Sequence, residues 1–178
     1  MDVNEVALRA LHAVAALAFA AALTACGNPE PLVMHVGEAR QLKPGEWGNG
    51  VVVSVAVEFE NRGREAAHVD YDSVVARGTD GEQASVRAFR RLVLDATRKA
   101  RSREELERRF AALARIGIDE RVLNDVKLPA IEILPGQRIA KNLPFSFARE
   151  PGSITIELRY HDNDTDRIFK IGADARVR

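Results

Sequence analysis

Hydrophobic and polar residues alternate most cleanly between Val51 and Glu60. Val51, Val53, Val55, Val57 and Phe59 fall on one face, and Ser54, Glu58 and Glu60 fall on the other. A period of two is that of a strand with one buried face. Asn61-Arg62-Gly63-Arg64 then supplies turn chemistry, and Ala67, Val69 and Tyr71 alternate with His68, Asp70 and Asp72, which predicts a hairpin partner. Extended character continues from Ser73 to Arg77 and ends at Gly78-Thr79-Asp80-Gly81, whose Asp-Gly pair is a strong turn signal. The same grammar returns later in the chain. Residues 127–133 read as a strand and Leu134-Pro135-Gly136-Gln137 as a turn. In 138–148 Leu143, Phe145 and Phe147 alternate, and Pro144 assigns that strand to an edge or a bulge. After the turn at 149–152, Ile154, Ile156 and Leu158 share a face of 153–160, and 167–171 makes a last strand. With 32–35 this gives about seven short strands, the number and spacing of an immunoglobulin-like sandwich.

Between the two β blocks the period changes. Val86, Phe89, Val93, Ala96 and Ala100 recur at helical spacing. Ser102-Arg103-Glu104-Glu105 reads as a capping box, followed by Leu106, Phe110 and Leu113 on a second helical face. Gly117 stops that helix, and Asp119 caps a short third one carrying Val122, Leu123 and Val126. The predicted fold is therefore mainly β, an immunoglobulin-like antiparallel β-sandwich with a helical insertion at about residues 85–126.

The first residues follow a different pattern. Ala10 to Leu23 is nearly unbroken Ala, Leu, Val and Phe, interrupted by His12, and leads through Leu23-Thr24-Ala25 to Cys26, the single cysteine. As a helix this stretch would be roughly 21 Å long, against a bilayer core of about 30 Å, so it is too short to span and long enough for a signal h-region. The n-region departs from the usual positive charge, since Asp2 and Glu5 outnumber Arg9. A lone thiol closes no intramolecular disulfide. Leu-Thr-Ala-Cys resembles the lipobox of bacterial lipoproteins. That resemblance implies cleavage before Cys26, its acylation, and a mature chain beginning there. Residues 1–25 are then the signal peptide and 26–31 a lipidated, proline-containing tether. Removing 25 residues from 178 leaves a mature chain of 153, the size of one domain, and residues 32–178 form its one folded unit. Gly27, where an Asp would favour inner-membrane retention, leans towards the outer membrane, with the domain facing the periplasm.

The β portion carries a second resemblance. Val53-Ser54-Val55-Ala56-Val57-Glu58-Phe59-Glu60-Asn61-Arg62-Gly63, Thr79-Asp80-Gly81, and Leu134-Pro135-Gly136-Gln137 with Pro144-Phe145-Ser146-Phe147 are similar to the telokin-like, Ig-type domains of many bacterial lipoproteins. The likeness omits residues 83–126 and implies no catalytic residues.

Charge is balanced overall, with 26 basic and 26 acidic residues, and gives no electrostatic case for nucleic acid. The insertion is lopsided. From Ser85 to Arg115 ten basic residues face four acidic ones, a net +6. Arg87, Arg90, Arg91, Arg98, Arg108 and Arg109 are its candidate surface for an acidic partner or anionic lipid, against the plainer expectation that they are solvated charge on core-facing helices. Two acidic groups invite a metal reading. Asp162, Asp164 and Asp166 alternate as in a calcium loop, but Arg167 stands where the EF-hand pattern needs Gly, and Ala173 where it needs Glu. His68, Asp70 and Asp72 share a strand face with His161 or His35 as helpers, yet their spacing requires no ion. Both groups read as solvated surface, and no metal or cofactor is expected. There is no nucleophile elbow, phosphate loop or His-Glu zinc motif, so the expected role is non-enzymatic. The sequence thus predicts a membrane-anchored envelope lipoprotein acting as a binding or scaffold module with a protein partner. Its alternatives are a docking subunit of a larger envelope assembly such as a secretion system, and a calcium-binding sandwich.

Overall fold

In chain order the elements are β1 (Leu32–Gln41), β2 (Val51–Asn61), β3 (Ala67–Asp70), a 3-10 turn (Tyr71–Ser73), β4 (Val74–Gly78) and β5 (Gln83–Ser85). Three helices follow, α1 (Val86–Lys99), α2 (Arg103–Arg115) and α3 (Glu120–Asp125). The chain then closes with β6 (Ala130–Ile133), β7 (Arg138–Phe147), β8 (Ser153–Asp162) and β9 (Arg167–Arg176). The computed structural model describes residues 31–43, 46–47, 50–128, 130–162 and 167–178. The predicted signal segment, Cys26, and the Asp164 and Asp166 of the aspartate loop lie outside the described residues, as does the side chain of Asp162.

The described chain is mainly β, with antiparallel sheets. One sheet has the order β1-β2-β7, a second pairs β3 with β6, and a third runs β5-β4-β8-β9. The carboxyl end ties the first sheet to the third. Gln41 N donates to Arg178 O at 3.1 Å and Arg178 N donates to Ala39 O at 3.0 Å, beside a parallel bridge between Ala39 and Val177. Buried side chains of all three sheets and of the helices form one cluster. On β2 the predicted apolar set, Val51, Val53, Val55, Val57 and Phe59, is at most 2% exposed. Burying each such side chain contributes about 1.5–3 kcal/mol.

Two expectations drawn from β2 are corrected. Ser54 was expected on a solvated face, but it is 3% exposed and Val52 behind it is fully buried. The reason is that the insertion covers the outer face of this sheet at that level. The chain at Gly117, between α2 and α3, lies over Ser54, and Asn142 on β7 donates to Gly117 O at 3.0 Å. The expected β2–β3 hairpin does not form, because β2 pairs with β1 and β7 while β3 pairs with β6. Asn61 explains the departure. Its Nδ2 donates to Glu65 O and Ile133 O, both at 2.7 Å, and its Oδ1 accepts from Gly63 N at 2.8 Å. The turn therefore hands the chain to a different sheet. The Leu134–Gln137 turn does the same between β6 and β7, with Gly136 at φ 73° and Gln137 N donating to Leu134 O at 3.0 Å.

Strand β7 is an edge of its sheet, which accommodates Pro144 opposite Ser54 without a break in register. Strand β1 carries the irregularity instead, between Val36 and Ala39.

Candidate functional site

The insertion begins where Ser85 caps α1, its hydroxyl accepting from Ala88 N at 3.1 Å. Val86, Phe89 and Ala96 turn into the core, so the opposite side of α1 meets solvent. Arg87, Arg91, Leu94 and Arg98 are all exposed there, at positions i, i+4, i+7 and i+11. That spacing keeps them within about 60° of arc on one line of the helix. Leu94 is 56% exposed, which an apolar residue on a core-facing helix is not required to be.

Helix α2 is capped by Ser102, which accepts from Glu105 N at 3.1 Å. The predicted capping box closes one residue further back than expected, since Glu105 Oε2 accepts from Arg101 N at 3.1 Å. That backbone bond, together with Arg109 at 2.7 Å, holds the Glu105 carboxyl below the usual range. A Schellman arrangement ends α2, with Gly117 at φ 82°, Ile118 N donating to Leu113 O and Gly117 N to Ala114 O, each at 3.0 Å.

Ion pairing divides the ten basic residues. Arg90 pairs with Asp72, Arg103 with Glu107, Arg109 with Glu105 and Arg115 with Glu46. Among the described residues Arg87, Arg91, Arg98, Lys99, Arg101 and Arg108 have no ion-pair partner. Of the six arginines named from sequence, Arg90 and Arg109 therefore serve the fold, and Arg87, Arg91, Arg98 and Arg108 remain available.

A cavity of about 480 Å³ lies between α3 and the outer face of β1-β2-β7, lined by His35, Gly37, Ala56, Asp119, Arg121 and Asp125 among others. Its polar groups are largely committed to the fold. Asp119 Oδ1 accepts from Val122 N at 3.0 Å as the cap of α3, and Asp125 holds Lys141 Nζ at 2.6 Å. The volume suits a small ligand, but a set of unengaged polar groups aimed at one point is missing among the described residues.

The other sequence candidates are dispersed. Asp70 caps the 3-10 turn by accepting from Asp72 N at 2.8 Å, Asp72 holds Arg90, and His68 lies 4.0 Å from Glu132. Among the described residues no group of three or more His, Cys, Asp or Glu side chains is placed to hold a metal ion. No helix among them is long and apolar enough to cross a membrane. Sequence reading missed Leu94, whose signal was an apolar residue off the Val86–Phe89–Val93–Ala96 stripe, and Trp47, the single tryptophan, now 1% exposed against Phe110.

No protein-family model and no curated protein matches this chain. Solved structures give distant likenesses. The yjhA protein from Bacillus subtilis is 10% identical, with 83% of this chain and 92% of that one covered and a TM-score of 0.40. The putative ApaA protein from Bordetella pertussis is 11% identical over 80% and 89% of the two chains, with a TM-score of 0.39. A FixG-related protein from Vibrio parahaemolyticus is 8% identical over 84% and 98%, with a TM-score of 0.37.

Proposed function

We propose that this chain is a bacterial envelope lipoprotein, acylated at Cys26, whose immunoglobulin-like sandwich is a non-enzymatic binding or scaffold module with the basic helical insertion as its contact surface. The observation that carries the anchor is Leu23-Thr24-Ala25-Cys26 at the end of a short apolar stretch. The sandwich assignment draws support from antiparallel sheets that share one buried cluster and from turns that pass the chain between them. The contact-surface assignment draws support from six cations on the insertion without ion-pair partners among the described residues, beside the exposed Leu94. Two or more acyl chains give stable anchoring, at about 0.8 kcal/mol per buried methylene. Mass analysis of the protein isolated from membranes is expected to show an amino-terminal peptide beginning at an acylated Cys26. An unmodified peptide running through Ala25 and Cys26 overturns the anchor.

A further inference from the structure

We infer that the exposed row of α1, Arg87, Arg91, Leu94 and Arg98, lies against the anionic headgroups of the bilayer to which the chain is tethered. This deepens the proposed function and rests on its anchor and its basic contact surface. The row is straight and about 16 Å long, from eleven residues at a rise of about 1.5 Å each. A line of guanidinium groups of that length meets several lipid phosphates at once, and each can bind phosphate through two parallel N–H donors. Leu94 sits between Arg91 and Arg98, where its side chain can enter between headgroups while the arginines hold the phosphates on either side. Opposing charge on the helix is slight, because Asp95 is its only acidic residue.

The length of chain before the domain favours the same occupant. Four residues lie between Cys26 and Pro31, and the five steps from one to the other, fully extended, reach at most about 18 Å. Pro31 O accepts from Arg62 N at 2.6 Å and Gly63 N at 3.1 Å, and the adjoining Asn61 N donates to Gln137 O at 3.0 Å, directly before β7. The domain therefore starts at the end of the sheet from which β7 departs, and α1 packs along β7. A tether this short holds the whole domain at the bilayer, where its basic surface encounters lipid phosphate at far higher local concentration than any free acidic partner.

The test uses the full chain, purified from membranes and reconstituted in vesicles of phosphatidylcholine alone or with phosphatidylglycerol. A polarity-sensitive fluorophore on Leu94→Cys is expected to shift to the blue only with phosphatidylglycerol, and the shift is expected to fade as salt is raised. Reversing Arg87, Arg91 and Arg98 to Glu should abolish the shift, while Lys at all three positions should retain it. Simple removal of the charges weakens the contact by about fivefold per arginine, on the order of a hundredfold for three. These side chains are exposed, so circular dichroism of each variant should match the parent. The amino-terminal mass of the same preparation separates the two readings. An acylated chain whose label ignores phosphatidylglycerol overturns the row as a lipid surface and leaves it to an acidic protein partner. An unacylated chain whose label still responds overturns the anchor and upholds the row. A shift that survives the triple Glu variant also overturns the row.

Discussion

Asn61 shows how one buried amide decides where a strand leads. It is 1% exposed and satisfies two carbonyls and one N–H in two segments, the turn after β2 and the end of β6, so that turn is fixed in a form that delivers the chain to β6. Replacing it by Ala removes all three bonds and leaves Glu65 O and Ile133 O without their donor. The expected cost is about 3 kcal/mol, read as a drop in the urea midpoint with an unchanged slope. Asn61→Asp makes a sharper experiment. An aspartate keeps the acceptor for Gly63 N but presents negative charge to two carbonyl oxygens, which raises its carboxyl pKa in the folded state. The sign follows from linkage: the variant is penalised most at neutral pH and regains stability relative to the parent as pH falls and the group protonates. A deficit independent of pH would contradict the hydrogen-bond assignment. None of this was legible beforehand, because Asn-Arg-Gly reads equally well as a hairpin turn. The amide's partners come from residues 65 and 133, which no local pattern connects to it.

Elements that depend on local chemistry were legible, and those that depend on distant partners were not. The caps Ser102 and Asp119, the stop at Gly117 and the apolar face of β2 involve residues within a few positions of one another, and each has its predicted role. Strand pairing depends on the distant partners of Asn61, and the covering of the sheet's outer face depends on the insertion, so Ser54 was misplaced. Cross-strand electrostatics belong to this scale as well. On β2, Glu60 meets Arg62 at 2.7 Å, Arg138 of β7 at 3.0 Å and His35 of β1 at 3.8 Å, although it is only 14% exposed. The Arg62 hydrogen bond, reinforced by Arg138, draws its carboxyl from the ordinary 4.5 down to about 2. A carboxyl depressed on folding adds stability that is complete above its unfolded pKa and lost as pH falls through the folded one. The stability difference between the parent and Glu60→Gln should therefore be constant above about pH 5 and vanish progressively from about 4.5 to 2. Thermal melts across that range check it, and parallel curves for the two proteins would show that the cluster ties β1, β2 and β7 together without contributing to stability.

At the scale of the whole molecule the question is whether the insertion is an appendage or part of the core. Trp47 is placed to answer it. It lies in the connection between β1 and β2, is 1% exposed, and stacks at a tilt on Phe110 of α2 with ring centroids 5.9 Å apart. Nearby, Glu46 and Arg115 add an ion pair between the same segments at 2.6 Å. Leu113, Ile116 and Ile118 of the insertion belong to the same buried cluster as Val52 and Phe145 of the sheet. If the cluster is one thermodynamic unit, undocking α2 exposes sheet as well as helix, and neither survives alone. Tryptophan emission and far-ultraviolet circular dichroism should then trace one coincident urea transition. Phe110→Ala removes the ring that packs on Trp47, at an expected cost of about 3 kcal/mol given that Phe110 is partly exposed, and should move both probes together. Separation of the two curves, with tryptophan reporting first, would mean that the helices leave the sheets before the sheets unfold. The insertion would then be a separately mobile arm, and the row on α1 would be presented by a hinged element instead of a rigid one. Coincident curves fix that row to the sheets, so its orientation follows from that of the whole domain.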